Sequence, residues 1–473
     1  MSILNLKSDF KLFKISYLAF FSLLICISIY FILFGYIKPF ILCLVIPVLI
    51  LFSFYFDKYF LYFFVASLFI EYTFPLRLQI VNFVSFAIIL FFIFNNDKSI
   101  FSQHKLPKIV NFSGILLLSA VLLSSFNSPY FSFESVYYGF GFMIFMFISY
   151  ITFRYSNNIN KISGLLDTFF YGTFIAGVII IIFIIITGNV RFAGISGYAY
   201  FDYTPIALII AIFSFFIFGK SNNLIKISTL VIFIAMIASL SRNSWIGFSL
   251  AFVYGMIITM KFKKNELNIF RNKITIIFIS LLLSIFLLSY TGIGSVAMQR
   301  LTQVNFQLFS QNETGELLNN SLESRILIWL VAFNAFLHHP WTGVGYFMFY
   351  LVSEDYNILP DILYTLFVKG LDAHTTYFNF LCETGIVGLS SFLFYIILIL
   401  RYSFKAIKLS ISDDEKKVSI TLHILIFFVF VHSIYAGAFT FGQNAFQMHF
   451  LFGLAVANYV NLNKLRNNSI SKF

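Results

Sequence analysis

The sequence predicts an all-α, polytopic membrane protein of about 12–14 transmembrane helices with one large outward loop that contains short helices. Three observations carry this. Apolar residues make up 60% of the 473-residue chain and charged residues 11%, with a mean hydropathy of +0.91, more apolar side chain than a soluble core could hide. The apolar residues fall into runs of the length a helix needs to cross hydrocarbon, roughly 20 residues. Lysine and arginine, finally, alternate between the breaks separating those runs.

Cutting at the polar breaks gives candidate spans near 14–35, 38–55, 58–74, 78–95, 109–126, 133–153, 164–187, 202–218, 223–240, 243–260, 272–290, 375–400, 418–438 and 443–460. Twelve spans result if the short second and third runs only dip into the membrane. The first run follows a basic flank, "MSILNLKSDFKLFK", without a small-residue cleavage site, and reads as a retained span. Both termini then lie on one side. Placing that side in the cytoplasm leaves only Lys38, Arg77, Arg191, Arg242, Arg300, Arg325 and Lys369 facing out, of 31 basic residues. The net charge of +12 is thereby explained by the inner leaflet, with no nucleic acid as partner.

The organisation expected is N-terminal transmembrane helices over 1–290, a large loop over 291–374 and C-terminal transmembrane helices over 375–473. Within the loop, the apolar run Ile326 to Leu337 is too short to cross and is stopped by His338, His339 and Pro340, as suits a helix on or in the outer face. No metal or soluble cofactor is expected. Cys26, Cys43 and Cys382 have no metal-site spacing, "FGKS" at Phe218 lacks the earlier glycine of a phosphate loop, and neither HExxH nor Asp-x-Asp occurs. The acidic run Asp413, Asp414 and Glu415 falls on the inward side and reads as a solvated loop. The 68 phenylalanines reflect biased composition, so aromatic stripes carry no functional reading.

Candidate chemistry collects on the outward side. Arg191, Arg242 and Arg325 stand beside span ends in polar contexts, "TGNVRFAGISG", "SLSRNSWIG" and "SLESRILIWL". Each alone suits a solvated anchor or a salt bridge; together they suit a shared site for phosphate oxygens. Trp329, four residues after Arg325, shares its helix face and offers the guanidinium a ring. His374, in "DAHTTYFNFLCETGIVGL", stands at the mouth of a span with Asp372 two residues before it. A neutral imidazole there can take a proton from a hydroxyl near neutral pH, or serve as an interfacial hydrogen-bonding residue. Glu383 lies nine residues on, at opposite helical phase, and reads as structural; Gly385 and Gly388 read as a close-packing face.

These stretches resemble, in order, the bacterial O-antigen ligases and their polymerase relatives. The likeness rests on Arg-x-x-Gly at Arg191 to Gly194, "SRNSWIG", "R-x-x-x-W…HP-x-x-GVG" from Arg325 to Gly345, and "H-x-x-Y…E-x-G-x-x-G" from His374 to Gly388. The resemblance implies a lipid-carrier glycosyltransferase of the bacterial inner membrane with a periplasmic large loop, working without metal or nucleotide. Arg191, Arg242 and Arg325, with Arg77 as a weaker member, would bind the diphosphate of an undecaprenyl diphosphate-linked glycan donor, and His374 would activate or orient the acceptor hydroxyl. The acceptor would be the lipid A core for a ligase, or another lipid-linked repeat unit for a polymerase. A protein O-oligosaccharyltransferase and a lipid-linked glycan flippase are the remaining readings; the near absence of charge inside the spans disfavours transport. Where the family usually has Ser-Arg-Gly this chain reads Ser241-Arg242-Asn243, a departure that bears on the local backbone.

Overall fold

The computed structural model describes residues 104–187, 200–218, 222–238, 241–262, 321–437 and 442–470, with a few isolated positions before them. Arg77, Arg191, the spans expected before residue 104, the one expected at 272–290 and the boundary expected at 290 lie outside the described residues. Everything regular among the described residues is helical. The helices are α1 Lys108–Phe126, α2 Phe133–Tyr155, α3 Ile159–Thr187, α4 Tyr200–Ile210, α5 Asn223–Ala238, α6 Arg242–Phe262, α7 Ser321–His338, the single turn α8 Phe349–Val352, α9 Asp361–Phe367, α10 Thr376–Leu409, α11 Asp413–His432 and α12 Gly442–Ile470.

Local sequence sets several of the ends. Ser132 opens α2 with a capping box in which it exchanges hydrogen bonds with Ser135, and Ser412 opens α11 the same way with Glu415. Three acids in the first turn of α11 also favour the positive end of the helix dipole. After Pro205, α4 widens into a π-helical stretch, Ala211–Ile217, which sets Ser214 Oγ 3.0 Å from Thr421 Oγ1 in the buried core.

Among the described residues, five helices are long and apolar enough to cross a membrane: α1, α2, most of α3, α6 and α10. α1 shows how they sit. Val110, Leu117, Val121 and Ser124 are buried on one face, while Ile109, Phe112, Ile115, Leu116 and Leu123 stay exposed on the other, as hydrocarbon requires. α11 and α12 carry more polar residues, yet are buried along most of their length, including His423, Gln447, His449 and Asn458. They pack against α10, and α12 also against α2, so protein and not lipid surrounds them and the polar side chains are tolerated.

Residues 321–373 fold over the N-terminal end of α10. Leu327, Ile328, Val331 and Ala335 of α7 form a small second core with Val344, Phe349, Tyr364, Val368 and Cys382. The run expected as a short helix between 326 and 337 is thus the body of α7, which packs on α9 and α10.

Candidate active site at the head of α10

The segment Leu371 to Thr375 enters α10 through a residue in an unusual conformation. His374 has φ +52°, a left-handed value that costs a side-chain-bearing residue energy and persists only where its surroundings fix it. Contacts on both flanks do so here. On the near side, Ala373 N donates to Asn379 Oδ1 at 2.9 Å, and Trp329 Nε1 donates to Ala373 O at 3.1 Å. The Trp329 indole lies flat on Phe378, 5.2 Å between centroids and 3° between planes, so α7 and the first turn of α10 clamp the segment together. On the far side, Thr376 N donates to Ser433 O and Ala436 O, Thr376 Oγ1 donates to Ala436 O at 2.9 Å, and Thr375 Oγ1 donates to Ser433 O at 3.3 Å.

Thus held, His374 Nδ1 sits 2.5 Å from Asp372 Oδ1. Both side chains are partly exposed, 39% and 27%. Burial alone would raise the Asp372 pKa, but the hydrogen bond and charge of His374, with the Asn379 amide 3.4 Å from Oδ2, bring it below the ordinary carboxylate value. An ionised carboxylate at Nδ1 keeps the ring proton on that nitrogen and turns Nε2, the basic atom, away from it. This is the arrangement of an oriented general base.

Arg325 reaches the same neighbourhood from α7. Its Nη1 donates to Asn243 Oδ1 at 2.9 Å, and Asn243 Nδ2 donates to Tyr435 O at 2.9 Å. Asn243 follows Arg242, the first residue of α6, whose backbone is described and whose side chain is not. The segment 433–436 after α11 therefore touches both the His374 strap and the Asn243 bridge, bringing Arg325, the N-terminus of α6 and the Asp372–His374 pair around one short turn. The α6 terminus adds its own positive potential to that of the guanidinium. The Asn243 departure from Ser-Arg-Gly is a structural member, an amide that joins Arg325 to the turn.

Gly385 works differently from the sequence expectation, while Glu383 keeps a structural role. α10 begins only at Thr376, so helical phase does not relate Glu383 to His374, and the helix is broken at Gly385 (φ +64°, ψ −167°). Into the break fits the loop "HPWTGVG". Val344 N donates to Cys382 O and Gly345 N to Glu383 O, both at 3.0 Å, while Ile386 N donates back to Pro340 O at 2.8 Å. Glu383 Oε2 accepts from Phe347 N at 3.0 Å, and Ser124 and Ser128 of the α1 end donate to Glu383 O and Val344 O. A Cβ on Gly343 would overlap the Glu383 backbone, and one on Gly385 the Trp341 carbonyl. Gly385 is therefore a docking point for a loop, not part of a packing face. Glu383 is the buried acceptor that fixes the loop, consistent with its structural reading.

The residues missed by sequence reasoning are Asn243, Asn379 and Phe378, which hold Arg325, Asp372 and Trp329 in place. Among the described residues, no three of His, Cys, Asp and Glu stand together as metal ligands would.

Fold and site define a multi-span, all-helical membrane protein with a carboxylate-oriented histidine and an arginine bridge gathered at one end of the bundle. Residues 227–393 match the model of the Wzy_C family, O-antigen ligase. The match takes in Arg242, Arg325, His374 and Glu383 and leaves Arg77 and Arg191 outside it. No curated protein matches the chain.

Proposed function

We propose that the protein is a ligase that moves a glycan from undecaprenyl diphosphate to the lipid A core at the periplasmic face of the inner membrane, with both termini cytoplasmic. The observation carrying this reading is the Asp372–His374 pair beside the Arg325–Asn243–Tyr435 bridge. His374 Nε2 takes the proton of the acceptor hydroxyl as its oxygen bonds to the anomeric carbon. The bond from that carbon to the diphosphate oxygen breaks, and its electron pair leaves on the diphosphate. Asp372 stabilises the imidazolium that forms; Arg325 and Arg242, with Arg191 and Arg77 as further members, neutralise the growing negative charge. Donors set in place beforehand lower such a barrier because they need not reorganise as the bond breaks.

Deleting the gene and resolving the lipopolysaccharide on a gel tests the reading. A bare core with accumulating lipid-linked polymer is expected. Core bearing a single repeat would make the protein a polymerase, and donor accumulating on the cytoplasmic face would make it a flippase.

A further inference from the structure

A second feature lies further along the bundle, away from the head of α10. A cavity of about 210 Å³ opens between α1, α2, α10 and α12, lined by Leu106 just before α1, Phe153 in the last turn of α2, and Val110, Met146, Tyr395 and Val456. Ser124 lies near the other end of α1 and Glu383 in the first turns of α10, whereas the cavity takes the N-terminal half of α1 and the middle of α10, so it is set apart from His374 along the bundle. Ile115, on the outward apolar stripe of α1, also lines it, so the cavity opens sideways into the hydrocarbon and not into water.

Basic groups stand at its polar end. Tyr150, another lining residue, accepts a hydrogen bond from Arg154 Nη1 at 2.8 Å, and the guanidinium also lies 5.7 Å from the Tyr150 ring centroid. Asn461 Nδ2 of α12 donates to Ser156 O, just past the end of α2, at 2.8 Å, which brings Lys464, one turn further along α12, to the Arg154 end of α2; the charges of both lower the pKa of His104, after burial. An apolar slot between spans under a basic rim has the shape and charge of an anionic lipid: hydrocarbon for the slot, phosphate for the rim.

We propose that this groove binds an anionic glycerophospholipid, with one acyl chain in the cavity and its phosphate at Arg154 and Lys464. The full-length protein, purified and offered equimolar phosphatidylglycerol and phosphatidylcholine, should retain the anionic lipid in native mass spectra with a preference on the order of tenfold. Arg154→Gln with Lys464→Gln should abolish the preference, while Lys226→Gln with Lys416→Gln, an equal loss of charge elsewhere, should leave it. Ile115→Trp, which fills the mouth, should lose both lipids. Equal retention of the two lipids by the parent, an unchanged preference in the first double variant, or displacement of phosphatidylglycerol by equimolar polyprenyl phosphate would each overturn the proposal.

Discussion

Replacing Gly385 by alanine should unlatch the "HPWTGVG" loop from α10. Two terms set the size of the effect. The conformation at φ +64°, ψ −167° is a region open essentially to glycine alone, and forcing a side chain into it costs about 1–3 kcal/mol. The new Cβ would also overlap the Trp341 carbonyl, which belongs to backbone and cannot swing aside. Moving that carbonyl gives up the bonds from Ile386 N to Pro340 O (2.8 Å) and Val387 N to Trp341 O (3.4 Å), each contributing about 0.5–1.5 kcal/mol. The sum is about 2–6 kcal/mol. Gly141→Ala within α2 is the control: its Cβ would meet nothing within 4 Å, and alanine recovers about 1 kcal/mol of helix propensity. Thermal unfolding of the purified proteins in detergent should therefore separate the two variants clearly. Equal melting temperatures for Gly385→Ala and the parent would refute the reasoning that this glycine is a docking point.

Other consequences are as direct. Asp372→Asn should keep the fold but lower glycan transfer by about 10²–10⁴-fold, because the imidazole loses the charge that orients it; the rate of a reconstituted transfer assay reads this. Because the Asp372 carboxyl titrates below its ordinary value of about 3.9, its contribution to stability is fully present above that pH and is lost as pH falls through the depressed folded value; melting temperature against pH should show a step in the parent that Asp372→Asn lacks. Asn243→Ala, which strips the partner from Arg325 and from Tyr435 O, should destabilise by about 1.5–3 kcal/mol in the same unfolding measurement. Trp329→Phe keeps the stack on Phe378 and removes only the bond to Ala373 O, so a loss of about 0.5–1.5 kcal/mol is expected.

How far the sequence could be read depends on the kind of signal. The helices α1, α2, α5, α6, α10, α11 and α12 all stand where apolar runs were cut at polar breaks, because hydrocarbon demands continuous length. The Asp372–His374 contact was legible because a polar pair at a span mouth stands out from its neighbours. Asn243 and Asn379 were not: a single amide carries no periodicity, and its partners Arg325 and Asp372 are supplied by other segments or by a turn the chain makes only when folded. Gly385 was misread for a related reason. Glycine within an apolar helical pattern is compatible with an unbroken helix, and the break becomes necessary only because a loop beginning at Pro340 must pair with it. The Trp329–Phe378 stack likewise joins segments some fifty residues apart, where helical spacing pointed instead to Arg325 as the neighbour of Trp329.

The central claim is that His374, oriented by Asp372, removes the acceptor proton while the arginines serve the donor. It is tested most directly by measuring glycan transfer with purified His374→Ala in proteoliposomes containing lipid-linked glycan donor and lipid A core acceptor. The account predicts that transfer falls by about 10²-fold or more while donor binding stays at the parental level; transfer at the parental rate would contradict it.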